Sequence, residues 1–123
     1  MITSAVNPAV ELVVTVPVHD IAGQAHGIEF LIDTGFNGDL SLPASVVATL
    51  GPPFVQQQPN RLADGTVVVV PSHRVVVMWD GAVRIVRAFA SGGIALLSMG
   101  MLRDFHLRAL CRPGGLIEIE AVP

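Results

Sequence analysis

The sequence predicts an all-β protein, a small closed or partly closed barrel carrying one or two short helices. Three observations lead there. Nineteen valines and no tyrosine give the chain a β-branched bias suited to pleated surfaces. Two Asp-Gly dipeptides, Asp64-Gly65 and Asp80-Gly81, each lie between strand-like runs, the strongest short hairpin signal. Several short segments alternate apolar and polar residues with a period of two, as a half-buried strand requires.

In chain order, Val10–Val18 reads as a strand, followed by a polar turn at Gly23–Gly27 and a second strand over Gly27–Asp33. Ile28, Phe30 and Ile32 share one face of that strand, and Glu29, Leu31 and Asp33 the other. A glycine-rich loop, Gly35–Gly38, leads into a short strand at Leu40–Leu42. Pro43 suits the first turn of a helix, Val46, Val47 and Leu50 give it an apolar stripe, and Gly51 stops it. Gly51–Asn60 reads as a short linker. Arg61–Ala63 and Thr66–Val70 then flank the first Asp-Gly turn, and Val75–Trp79 and Ala82–Phe89 the second. Ser91-Gly92-Gly93 precedes a strand at Ile94–Leu97, a short helix within Met99–Phe105 and a run over His106–Leu110. A turn at Arg112–Gly115 introduces the last strand, Leu116–Val122, where Ile117 and Ile119 alternate with Glu118 and Glu120.

A length of 123 residues fits one domain spanning 1–123. Hydrophobic residues make up 51%, charged residues 14%, and mean hydropathy is +0.62. No apolar run reaches the roughly 18–20 residues of a membrane helix, and no signal-peptide pattern opens the chain, so the expected location is cytoplasmic, away from membranes. The single Cys111 agrees with a reducing compartment. A net charge of −3, no lysine and seven scattered arginines argue against a nucleic-acid partner, which needs a clustered basic face. So greasy a short chain is expected to cover apolar surface with a partner, most simply a second copy. The ends Val10–Val18 and Leu116–Val122 are the strands expected at that interface.

The segment that carries chemistry is Phe30-Leu31-Ile32-Asp33-Thr34-Gly35-Phe36-Asn37-Gly38. An apolar strand runs straight into a carboxylate, a hydroxyl and a glycine. Asp33 thereby sits at the rigid end of a buried strand, and Gly35 allows a tight turn with close approach of another backbone or a ligand. A carboxylate so placed resists ionising unless something donates to it or shares its proton. Elsewhere the signals are weaker. His19-Asp20 with His26 matches no metal-ligand spacing, His73 and His106 stand alone, and Cys111 has no base nearby in sequence. No metal and no cofactor is expected.

The run Leu31-Ile32-Asp33-Thr34-Gly35-Phe36 resembles the active-site signature of the aspartic proteases, and one such motif in so short a chain resembles the homodimeric, retropepsin-like branch. Phe36, Gly38 and Leu40-Ser41-Leu42-Pro43 are similar to a prokaryotic group whose motif continues Asp-Thr-Gly-Phe. Leu62-Ala63-Asp64-Gly65-Thr66 resembles the flap hairpin of those proteins, and Ala95-Leu96-Leu97 with the helix after it resembles their second conserved region. The resemblance spans about Glu11 to Ile119. It implies an endopeptidase in which Asp33 from each of two chains activates a water. Thr34 would cross-brace the two loops, Gly35 would bond substrate backbone, and Ala63, Asp64 and Gly65 would form the flap tip over an extended peptide. The chain departs from the family at the second region. Ser98 stands where a glycine is usual, and Gly100 where Asp or Asn braces the loop; alternatively the register slips and Gly100 is that glycine. The rival reading is a catalytically inactive dimer of the same barrel, kept for peptide binding or assembly.

Overall fold

The computed structural model describes residues 1–123. Twelve elements follow one another: β1 (Ile2–Ala5), β2 (Val13–His19), β3 (Ala25–Asp33), β4 (Leu40–Leu42), α1 (Ala44–Leu50), β5 (Phe54–Arg61), β6 (Val67–Trp79), β7 (Ala82–Ala90), β8 (Leu96–Ser98), α2 (Met99–Leu102), β9 (Phe105–Ala109) and β10 (Leu116–Ala121). Six strands in the order β2-β3-β8-β4-β7-β6 form a mixed barrel. The pairs Val18↔Val77 and His19↔Val76 close it.

Alternation decides which face of each strand points inward. Val14, Val16 and Val18 of β2, Phe30 and Ile32 of β3, and Val75, Val77 and Trp79 of β6 all enter one buried cluster. Leu40, Leu42 and Leu97 join it from the central strands, and Val47 and Leu50 of α1 and Met101 and Leu102 of α2 from the helices. Helix α1 stops as its sequence requires, with Gly51 in the left-handed region at φ 68° donating its N–H to the Val47 carbonyl at 2.9 Å. Strand β5 extends the barrel sheet at the edge of β6. The other three strands form an antiparallel sheet, β1-β10-β9, held to the barrel by the buried Ile117 and Ile119 and by Phe105 edge-on to Trp79 at 5.7 Å. No helix is long and apolar enough to cross a membrane.

The structure departs from the sequence reading in four places. Gly51–Asn60 is no linker: Phe54–Arg61 is an edge strand paired along β6. The runs on either side of Pro71 are one thirteen-residue strand. Proline is tolerated there because β7 begins pairing only at Ser72, leaving Pro71 with a neighbour on one side. Ile2–Ala5 forms a strand that was not read from the sequence. Of the strands expected at a dimer interface, β10 lies between β1 and β9, while β2 pairs with β3 along its length and with β6 only at Val18 and His19, so the free edges of the smaller sheet are those of β1 and β9. The second Asp-Gly turn is as expected, with Asp80 at φ 51° and Gly81 at φ 80°, the left-handed pair of a two-residue hairpin.

Candidate active site

Asp33 is the last residue of β3, and the chain around it is gripped from both sides. Strand β8 runs parallel to β3, pairing Leu31↔Leu96, Ile32↔Leu97 and Asp33↔Ser98, and β4 lies antiparallel on the far side of β8. The half-buried Asp33 accepts a hydrogen bond at Oδ1 from the Gly35 N–H, 2.9 Å away. A side chain at 35 would begin only 3.2 Å from that oxygen, so the missing Cβ lets the carboxylate fold over its own turn. Thr34 is exposed. Phe36 packs on Phe89 of β7, ring centroids 5.5 Å apart.

The second region holds this loop through its backbone. The N–H groups of Ser98, Met99 and Gly100 donate to the carbonyls of Asp39, Phe36 and Gly38, each at 3.0 Å. Ser98 stands opposite Asp33 in the β3–β8 pairing. Its side chain is fully buried, and its Oγ has no hydrogen-bond partner. Gly100 fits for a different reason than the family pattern implies. A Cβ there would meet the Asp39 carboxylate and lie 2.8 Å from the Gly38 carbonyl oxygen. Asp39 thus occupies the space a side chain at 100 would fill, and its Oδ2 accepts the Arg87 backbone N–H at 3.2 Å. Sequence reasoning missed Asp39, whose only signal is a charge placed directly before the buried Leu40-Ser41-Leu42.

Opposite the loop stands the β5–β6 hairpin. Its tip is closed by Leu62 N–H to Thr66 carbonyl at 2.7 Å and Gly65 N–H to Leu62 carbonyl at 3.0 Å, with Gly65 at φ 87°. Between hairpin and loop lies a cleft of about 960 Å³. Asp33 and Gly35 line its floor, Leu62, Ala63 and Gly65 its roof, and Phe36, Phe89, Ile94 and Leu96 supply apolar wall. Thr34 and Asp64, both named from the sequence, do not line it. Gln58, Asn60 and Arg61 do; the first two escape notice because Gly51–Asn60 reads as a polar linker, and Arg61 reads only as an arm of the hairpin.

Asp64 instead braces the tip, its Oδ1 accepting the Thr66 N–H at 2.8 Å. Bonds from Thr66 hold its carboxyl below the usual value of 3.8. A depressed carboxyl stabilises its turn above the unfolded pKa and loses that effect as pH falls through the folded one. The Thr66 amide resonance is therefore expected to titrate with a midpoint below 3.8, and the titration should vanish in Asp64→Ala. An unperturbed midpoint in the parent would place the carboxyl elsewhere.

Away from the cleft, His26 Nε2 meets Asp20 Oδ2 at 2.8 Å beside the β2–β3 turn, lowering the Asp20 carboxyl, and His73 Nδ1 lies 3.2 Å from the Pro52 carbonyl. Cys111 is exposed. Asp20 and His26 thus brace the β2–β3 turn.

No protein-family model and no curated protein matches the chain. Among solved structures, a retropepsin-like aspartic protease from Rickettsia conorii superposes with a TM-score of 0.50 at 17% identity, over 90% of this chain and 96% of that one. The order of elements, the closed mixed barrel and this superposition agree: the chain has the fold of the retropepsin-like aspartic proteases.

Proposed function

We propose that the chain is an aspartic endopeptidase that works as a homodimer. The observation that carries this reading is Asp33, the only carboxylate lining a cleft roofed by a hairpin. Peptide hydrolysis by an activated water needs a base and an acid, and one chain supplies one carboxyl group to this cleft. A second copy related by a twofold axis supplies the other. The two Asp33 carboxyls would lie ~3 Å apart and share one proton, as in aspartic proteases generally. The ionised member takes a proton from water, the protonated member donates toward the peptide carbonyl oxygen, and no covalent intermediate forms. Thr34, exposed on the loop, is free to brace the partner's loop, and Gly35 offers backbone to the substrate. Ala63, Asp64 and Gly65 form the tip that closes over an extended peptide and excludes water. The mechanism requires no cofactor. The reading is tested by digestion of a peptide library, with Asp33→Asn as control.

A second reading, a non-catalytic peptide-binding or assembly dimer, draws on the unpartnered Ser98 hydroxyl beside Asp33. Absence of cleavage by the parent at any acid pH would favour it.

Pairing of two copies falls most simply to the free edges of β1 and β9, which carry unpaired backbone groups. Sedimentation is expected to give a species of twice the 12.9 kDa chain mass. A single-chain species alone at high micromolar concentration would sink the homodimer.

A further inference from the structure

We infer that the substrate of this cleft carries an acidic side chain on the flank that passes Phe89, held by Arg87 and Arg74; this rests on the peptidase reading. The β6–β7 register sets Arg74 directly opposite Arg87, both exposed. Like charges facing each other across strands destabilise a sheet unless an anion lies between them. The protein does not provide one. Its ion pairs are Met1–Asp80, His26–Asp20 and Arg108 with Glu118 and Glu120, so no carboxylate pairs with Arg61, Arg74 or Arg87. The Asp39 carboxylate reaches the Arg87 backbone N–H and forms no ion pair with its guanidinium.

Arg61 lines the cleft, and Arg74 and Arg87 flank it. Arg87 lies two residues before Phe89 on the same face of β7, and Phe89 is cleft wall. Arg87 Nη1 also donates to Gln58 Oε1 at 3.3 Å, and because Gln58 lines the cleft this holds the guanidinium at the cleft's edge, outside its lining. Arg61 lines the same cleft toward the tip. The only opposing charge among the lining residues is Asp33, in a chain whose net charge is −3. Two residues of strand span about 6.8 Å, the interval at which an extended peptide repeats a same-side residue. A peptide lying along β7 with an apolar side chain on Phe36 and Phe89 would bring its next same-side residue to Arg87 and Arg74. There a carboxylate meets two guanidinium groups.

The test uses matched peptides differing only at that position, Glu against Lys. The parent is expected to cleave the Glu peptide with kcat/KM roughly fivefold higher, a margin that shrinks as salt rises. Arg74→Glu/Arg87→Glu should invert the order, and Arg87→Lys should keep it. The same pair is measured for binding to Asp33→Asn, which needs no cleavage. If the parent cleaves both equally, the inference falls and the peptidase reading stands. If the parent cleaves neither but Asp33→Asn binds the Glu peptide more tightly, the peptidase reading falls and the acidic preference stands. Equal binding, or a preference unmoved in the double Glu variant, overturns the inference.

Discussion

Asp33→Asn is expected to abolish peptide hydrolysis while the chain still folds and pairs. Asparagine matches aspartate in volume and keeps an oxygen able to accept the Gly35 N–H now held at 2.9 Å, so the turn survives. What disappears is the shared proton and the base. In the proposed dimer, two like carboxyls brought together would hold one proton between them. Only the singly protonated form has both an acid and a base, and activity should follow a bell on the acid side of neutrality. Removing the like charges should leave the melting temperature of the variant equal to or above that of the parent once the parent pair is fully ionised. Cleavage and melting measured from about pH 3 to about pH 8 check both arms. A variant retaining the parent's rate would move the chemistry away from Asp33. A variant that failed to fold would show that the carboxylate is structural.

Much of this arrangement was legible because strands announce themselves by alternation and turns by their chemistry. Ile28, Phe30 and Ile32 on one face, the stop at Gly51 and the Asp80-Gly81 turn are each determined by residues close in sequence. Asp33 was legible for the same reason, an apolar run ending in Asp-Thr-Gly. What stayed hidden depends on partners distant in the chain. Phe54–Arg61 contains three glutamines and two residues that interrupt alternation, and only pairing with the valine-rich β6 makes it a strand. Ile2–Ala5 is too short to signal alone and is defined by Ile117 and Ile119 across the sheet. The cleft walls Phe89 and Ile94, and the roof residues Gln58 and Asn60, became neighbours of Asp33 through closure of the barrel. Thr34 lies on the loop and Asp64 in the hairpin tip, yet neither lines the cleft.

Gly100 illustrates how far such distant partners reach, and it carries the second large effect. Judged by its family position alone, an added side chain there should improve the site, since Asp or Asn usually braces the loop. The geometry reverses the sign. Gly100→Ala would press a methyl group into the Asp39 carboxylate and to 2.8 Å from the Gly38 carbonyl, well inside van der Waals contact. The carboxylate is the end of a side chain and can swing aside, at the expense of its 3.2 Å bond from the Arg87 N–H. The carbonyl is backbone, and it accepts the Gly100 N–H that ties the second region to the loop. Relief therefore means moving the loop that presents Asp33. Overpacking of this kind costs about 1–3 kcal/mol, and Gly100→Asn should cost more than Gly100→Ala. Melting of Gly100→Ala, Asp39→Ala and the double variant apportions the strain, because contacting residues deviate from additivity. Partial recovery in the double variant is expected, with peptide cleavage remaining below that of Asp39→Ala. Full recovery of stability and cleavage would mean that the Gly38 carbonyl yields freely and that Asp39 alone excludes a side chain. A stabilised Gly100→Asn would mean that the loop accepts the family's brace after all, and that Asp39 does not occupy its place.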